Sequence, residues 1–128
     1  MLPFSIELKA GLPITEQVLF AVKKAVVTGR LKPGTPFPSV RAFSQELRIN
    51  PNTAHKIIAT LVAEGVLVTT PAVGSVVAEP ANADRATKAA LLEGELERLV
   101  VDAKKLGLDL DEVQAELAAH WKRLGKKT

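Results

Sequence analysis

The sequence predicts a mainly α-helical chain with one small β-hairpin, a winged helix-turn-helix followed by a two-helix region. Three observations carry that reading. Two helical patterns stand only three residues apart, at Arg48 to Asn50, which is the connection length of a helix-turn-helix. Directly behind them, two β-branched runs flank Pro71-Ala72-Val73-Gly74, the signature of a hairpin. Beyond residues 80–83 leucines recur at helical spacing to near the end of the chain. The domain organisation expected is therefore a winged helix-turn-helix over 1–79 and a two-helix region over 80–128.

Phe4 to Leu8 alternates enough to read as a short strand, which Gly11 breaks before Pro13 opens the first helix. Ile14, Val18, Val22 and Val26 recur every four residues, so they share one face of a helix of about four turns ending at Gly29. Leu31 to Pro38 holds three prolines and a glycine and reads as an ordered loop or turn. Ser39 is a good N-cap for the second helix, which runs to about Leu47. Asn50 caps the third, with Pro51 at the first helical position, where its missing N–H costs nothing. That helix is expected to run from Pro51 to Glu64 and to stop at Gly65. Val66 to Thr70 and Ser75 to Ala78 form the hairpin, a wing by its position.

Leu92, Leu96, Leu99, Ala103 and Leu106 form the stripe of an expected fourth helix, which would be about 36 Å long at 1.5 Å per residue and end at Gly107. Asp109 and Glu112 have the spacing of a capping box, so a fifth helix starts there with Val113, Leu117, Trp121 and Leu124 as its stripe. Lys122, Arg123, Lys126 and Lys127 gather at its C-terminal end, where cations offset the partial negative charge of free carbonyls.

Composition limits the function classes. The chain has 128 residues, 47% of them hydrophobic, enough for one real core. Its formal net charge is +3, and the excess lies in residues 1–79, with eight Lys or Arg against five acidic residues; 80–128 hold nine of each. A polyanion would thus meet the first part. With no cysteine, disulfides, thiolate catalysis and thiolate metal sites are excluded. His55 and His120 are the only imidazoles and fall on different helices, so neither a metal site nor a cofactor is expected. No secretory signal is read at the start and no apolar run reaches the ~18 residues of a membrane span, so a cytoplasmic protein is expected. An enzyme finds no support: no Gly-rich phosphate loop follows a strand, and Glu93, Glu95 and Glu97 spread around their helix as a solvated surface.

The third helix carries the sharpest signal. At 100° per residue Ala54, Ile57, Ile58, Leu61 and Val62 fall in one arc, with Asn52, Lys56, Ala59 and Ala63 opposite and Thr53 and His55 on the flanks. A face that is polar at its start and small further along suits a helix lying in the major groove of double-stranded DNA. Asn pairs with adenine, Thr touches a thymine methyl and Lys reaches guanine or phosphate. Arg41, in the first turn of the second helix, has a guanidinium able to reach phosphate or guanine. The plainer alternative is that Asn50 to Thr53 only cap a helix while Lys56 and Arg41 are solvated charges.

Four segments resemble the GntR family of bacterial transcription regulators in order and spacing: Pro13-Ile14-Thr15-Glu16-Gln17, Gly29-Arg30-Leu31-Lys32-Pro33-Gly34, Pro38-Ser39-Val40-Arg41 and Asn50-Pro51-Asn52-Thr53. The short C-terminal region resembles the YtrA-like subfamily. The resemblance implies a winged-helix repressor acting as a homodimer, with Arg41, Asn52, Thr53 and the His55 or Lys56 position at the operator. Ser39 and Asn50 would add backbone phosphate contacts, and Gly74 matches the turn glycine of the wing. The wing departs from the family pattern, since Thr69 to Ser75 contains no basic residue, and relatives often carry arginine or lysine where His55 stands.

Leu92, Leu96, Leu99, Val113, Leu117 and Trp121 are the candidate dimerisation residues; the alternative is that they pack back on the first domain as core. A symmetric dimer needs an inverted-repeat operator with half-sites near one helical turn apart or a multiple of it. A protein-interaction module without sequence-specific DNA binding is the competing function, kept open by the uncharged wing. Nothing in the sequence marks a place for a small-molecule effector.

Overall fold

The computed structural model describes residues 6–79 and 84–125, and these belong to two compact units. The first holds α1 (Ile14–Val27), α2 (Val40–Leu47), α3 (Pro51–Ala63), β1 (Leu67–Thr70) and β2 (Gly74–Val77). Its core is formed by Val18, Val22 and Ala25 of α1, Leu31 and Phe37 of the connecting segment, Phe43 of α2, Ala54, Ile57, Ile58 and Leu61 of α3, and Leu67 and Val77 of the hairpin. Phe37 and Phe43 pack with ring centroids 5.3 Å apart at a 46° tilt, an offset geometry that aromatic pairs favour.

Each element follows from a local cause. The segment before α1 is pinned by Gln17, whose amide donates to the carbonyls of Lys9 and Leu12, both at 3.0 Å, and accepts the Lys9 N–H at 2.7 Å. α1 ends where Thr28 and Gly29 turn the chain, Gly29 taking φ +81°, which suits glycine. Val18 and Val22 are fully buried and Val26 half-buried, but Ile14 is 43% exposed. The α1 stripe therefore enters the core only from its second turn.

The hairpin pairs Leu67 with Val77, Val68 with Val76, Thr69 with Ser75 and Thr70 with Gly74 in antiparallel register. One expectation holds here and another fails. The segment read as an ordered loop or turn is one, with a turn at Pro33-Gly34, and it is ordered by β2: Gly34 N–H donates to Val77 O at 2.8 Å, Val77 N–H to Thr35 O at 2.9 Å, and Phe37 N–H to Ser75 O at 2.8 Å, with Pro36 bridging Val76. Pro36 is tolerated because its neighbours supply the donors. The outer edge of β2 is thus taken from within the unit. Ile6 to Leu8 form no strand, while Phe4 and Ser5 lie outside the described residues; Ile6 instead packs half-buried against the core.

The second unit holds α4 (Arg85–Ala89), a π-helical segment (Ala90–Glu95), α5 (Leu96–Lys105) and α6 (Leu110–Arg123). Asp84 caps α4 by accepting the Thr87 N–H at 2.7 Å. Asp109 and Glu112 form the expected capping box of α6. The expected fourth helix is not one α-helix, because the chain changes to i→i+5 bonding over Ala90–Glu95 before returning to α geometry. Sequence periodicity cannot distinguish these registers when leucines stand side by side, as Leu91 and Leu92 do. Ala103 is the sole buried residue among those described from 84 to 125. Leu92, Leu96, Leu99, Leu117 and Trp121 are exposed and Val113 is half-buried.

Candidate nucleic-acid interface

The first unit presents two capped helix starts and one exposed helix face. At the start of α2 the Ser39 hydroxyl accepts the Ala42 N–H at 3.1 Å, and Arg41 stands exposed in the first turn. At the start of α3 the Asn50 carboxamide oxygen accepts the Asn52 N–H at 2.7 Å while the Asn50 carbonyl accepts from Ala54 at 3.0 Å. The side chains of Ser39 and Asn50 are thus engaged in capping. What they offer an anion is the orientation of neighbouring backbone amides, helped by the partial positive charge of a helix start.

Between these helices the turn is held from inside. Ser44 is buried, and its hydroxyl donates to Ile49 O at 2.9 Å while its own carbonyl accepts the Ile49 N–H at 3.1 Å. Arg48 makes the reversal in the left-handed region, with φ +54° and ψ +46°, and its N–H returns to Gln45 O at 3.4 Å. A non-glycine residue there costs about 1–2 kcal/mol. Sequence reasoning passed over both residues. Their signals were a serine on the otherwise apolar inner face of α2 and the lack of a glycine at the helix end.

The faces of α3 divide as its periodicity requires. Ala54, Ile57, Ile58 and Leu61 are buried and Val62 half-buried, whereas Asn52, His55, Lys56, Ala59 and Ala63 are exposed and Thr53 is half-buried on the flank. The side chains of Arg41, Asn52, His55 and Lys56 have no hydrogen-bond or ion-pair partner among the described residues, where Lys23 pairs with Glu64 at the far end of α3. Their donors and acceptors are open to a ligand. The Thr60 hydroxyl turns back to Lys56 O at 2.8 Å, so it adds nothing to that face.

The hairpin tip is uncharged and strained in one place. Gly74 adopts φ +94° with nothing within 4 Å of an added Cβ, so it is required by backbone conformation and not by close packing. Ala72 also takes a positive φ of 67°. Val73 is 61% exposed and Val68 47%, leaving the wing with an apolar surface where a basic one would be usual for a phosphate contact. Among the described residues no cluster of three His, Cys, Asp or Glu side chains could hold a metal, and no helix is long and apolar enough to cross a membrane.

A helix-turn-helix with a hairpin behind it and a free polar face on its second helix defines the class of DNA-binding transcription regulators. The chain belongs to the gntR family of bacterial regulatory proteins, whose model matches residues 14–77. It is 30% identical over 109 residues to the HTH-type transcriptional repressor YtrA of Bacillus subtilis, covering 84% of each chain. Among solved structures it is similar to a transcriptional antiterminator from Listeria monocytogenes, with TM-score 0.83, 27% identity and coverage of 98% and 96% of the two chains. It is also similar to YtrA from Sulfolobus acidocaldarius, a GntR-family transcription factor, with TM-score 0.60, 26% identity and coverage of 77% and 97%. Its relatives are transcription regulators and not enzymes.

Proposed function

We propose that this regulator is a repressor that binds an inverted-repeat operator as a homodimer, with α3 of each copy in the major groove. The observation that carries the reading is the outer face of α3, where Asn52, His55 and Lys56 are exposed and unpaired above a buried apolar face. Side chains near the start of such a helix meet base edges, while Ala59 and Ala63 are small enough to let it sit deep. Arg41 and the amides at the starts of α2 and α3 supply phosphate contacts that fix the docking. Repression is inferred from the printed name of the Bacillus subtilis relative.

The homodimer reading rests on the second unit. Leu92, Leu96, Leu99, Leu117 and Trp121 are exposed in the single chain, and an apolar surface of that extent calls for cover. A two-fold axis matches two copies to the two arms of an inverted repeat. No cofactor enters this mechanism, and a cytoplasmic location follows from DNA as the partner.

Fluorescence anisotropy of the full chain with its own promoter duplex, against a scrambled duplex at moderate salt, tests the proposal. A preference of about a thousandfold or more is expected for a specific site; equal binding refutes it. The uncharged wing favours one second reading, a protein-docking module. Arg41→Ala with Lys56→Ala separates the two, because a DNA reader loses affinity and about two units of salt slope, while a docking module keeps its partner.

A further inference from the structure

We propose that the π-helical segment Ala90–Glu95 is a register joint, which places Leu91 instead of Glu93 on the apolar face that α5 offers a second copy of this chain. The proposal rests on the dimer reading above. It concerns what selects that face and not whether two copies pair.

The geometry follows from the hydrogen bonds. Leu96 N–H donates to Leu91 O across five residues, so Leu91 lies directly one turn before Leu96. Leu92 is its neighbour on the same side. In an ordinary α-helix five residues turn the chain by about 500°, leaving Leu91 roughly 140° away from Leu96. The residues beside Leu96 would then be Leu92 and Glu93, four and three positions back. The π register thus exchanges a carboxylate for a leucine at the edge of a stripe that continues through Leu96, Leu99 and Ala103. The alternative register would also turn α4 by about 100° relative to α5.

Among the described residues no packing or capping contact explains this register. Every residue from Ala90 to Glu95 is exposed, no side chain caps the segment, and an added Cβ at Gly94 meets nothing within 4 Å. Gly94 therefore softens the backbone without making room for a neighbour. Well under 1% of residues in globular proteins adopt π geometry, and such segments gather at functional sites. The gain that offsets its cost is burial of Leu91 against a partner.

The charge order identifies that partner as a second copy. Behind the Arg85 and Lys88 of α4, Glu93, Glu95 and Glu97 stand before and at the start of α5, which ends with Lys104 and Lys105; α6 begins with Asp111 and Glu112 and ends with Lys122 and Arg123. Two copies of α5 laid antiparallel about a two-fold axis bring acidic starts beside basic ends, whereas parallel pairing sets like charges together.

The natural chain has no cysteine, so Leu91→Cys, Glu93→Cys and Leu96→Cys each introduce a single thiol. Their alkylation by a neutral maleimide is measured in the full-length protein, above and below the dissociation concentration found by sedimentation. Dimer formation is expected to slow the thiols at 91 and 96 by about tenfold and to leave the thiol at 93 reactive, because burial removes the thiol from the reagent. Protection at 96 and 93 but not 91 overturns the register while leaving the dimer reading intact. A monomer at every concentration overturns both, and sedimentation identifies that case. Deleting Gly94 in the Leu91→Cys protein provides a second arm. It sets position 91 four residues before Leu96, so an α-helix now keeps it on the face and its protection is unchanged. Protection that arises only on deletion overturns the proposal.

Discussion

Replacing Ser44 by alanine tests whether the helix-turn-helix is held together by its inner hydrogen bonds. The substitution removes the 2.9 Å bond from the hydroxyl to Ile49 O and leaves the 3.1 Å backbone bond between Ile49 N–H and Ser44 O in place. A net intramolecular hydrogen bond contributes about 1 kcal/mol, and a carbonyl left unsatisfied in a buried place costs about 1–3 kcal/mol. Ile49 is half-buried, so water reaches part of that carbonyl and the loss sits toward the lower figure. The higher helix propensity of alanine returns about 0.5 kcal/mol. A destabilisation of about 1–1.5 kcal/mol remains, equivalent to a fall of several degrees in Tm for a chain of this size. Urea titration followed by circular dichroism, with wild type and variant at one protein concentration, reads it as a lower midpoint at unchanged slope. A midpoint shift worth less than about 0.3 kcal/mol would refute the reasoning, since a buried partner cannot be lost at so little cost.

Other substitutions probe the remaining features. Arg48→Gly relieves the left-handed backbone at φ +54° and is expected to raise stability by about 0.5–1 kcal/mol in the same titration, less the greater entropy of the unfolded glycine chain. Gly74→Ala does the reverse at φ +94°, costing about 1 kcal/mol or more. Trp121, the single tryptophan and 81% exposed, reports on pairing: its emission is expected to move to the red on dilution through the dimer dissociation range. An unchanged spectrum across a change in mass places it outside the paired surface. Acidification reaches Asp84, whose carboxyl is held below its ordinary value by the Thr87 N–H it accepts. A lowered pKa means that its stabilisation of α4 is present above the ordinary value and is lost as pH falls through the folded one. Asp84→Asn is expected to flatten that acidic loss of helical signal.

Most of the fold was legible because its strongest signals are local. The Ser39 and Asn50 caps, Pro51 at the start of α3, the Asp109 and Glu112 box and the spacing of Ile57, Ile58 and Leu61 are each settled within a few residues of chain. The exposed set on α3 followed from the same periodicity. What escaped the sequence depends on contacts between distant residues or on backbone register. The pairing of Thr35 and Phe37 with β2 joins segments some forty residues apart, across a proline that discourages a strand reading. Alternation over Phe4 to Leu8 suggests a strand but cannot say whether a sheet edge is free to receive it. The π segment is invisible because Leu91 and Leu92 fit an apolar stripe in either register. Ser44 falls on the inner face of α2 by periodicity, but its partner, the Ile49 carbonyl, lies past the helix end and is set by the turn.

The two units divide stability and recognition in different ways. In the first, the core lies behind α3, with Ala54, Ile57 and Leu61 wholly buried, so substitutions at the exposed Asn52, His55 and Lys56 alter the outer face without opening the fold. If DNA docks as proposed, the uncharged wing leaves the electrostatic part of its affinity to Arg41, Lys56 and the helix starts, and each lost phosphate contact lowers the salt slope by about one. In the second, α5 and α6 are short helices with little burial of their own, and helices of that length are marginal in water without packing. Their folding is therefore tied to whatever covers Leu96, Leu99 and Leu117. If a second copy does so, dilution loosens this unit before it touches the core of the first. Operator affinity then falls with protein concentration more steeply than single-site binding allows, because each dimer lost removes two linked half-site contacts at once.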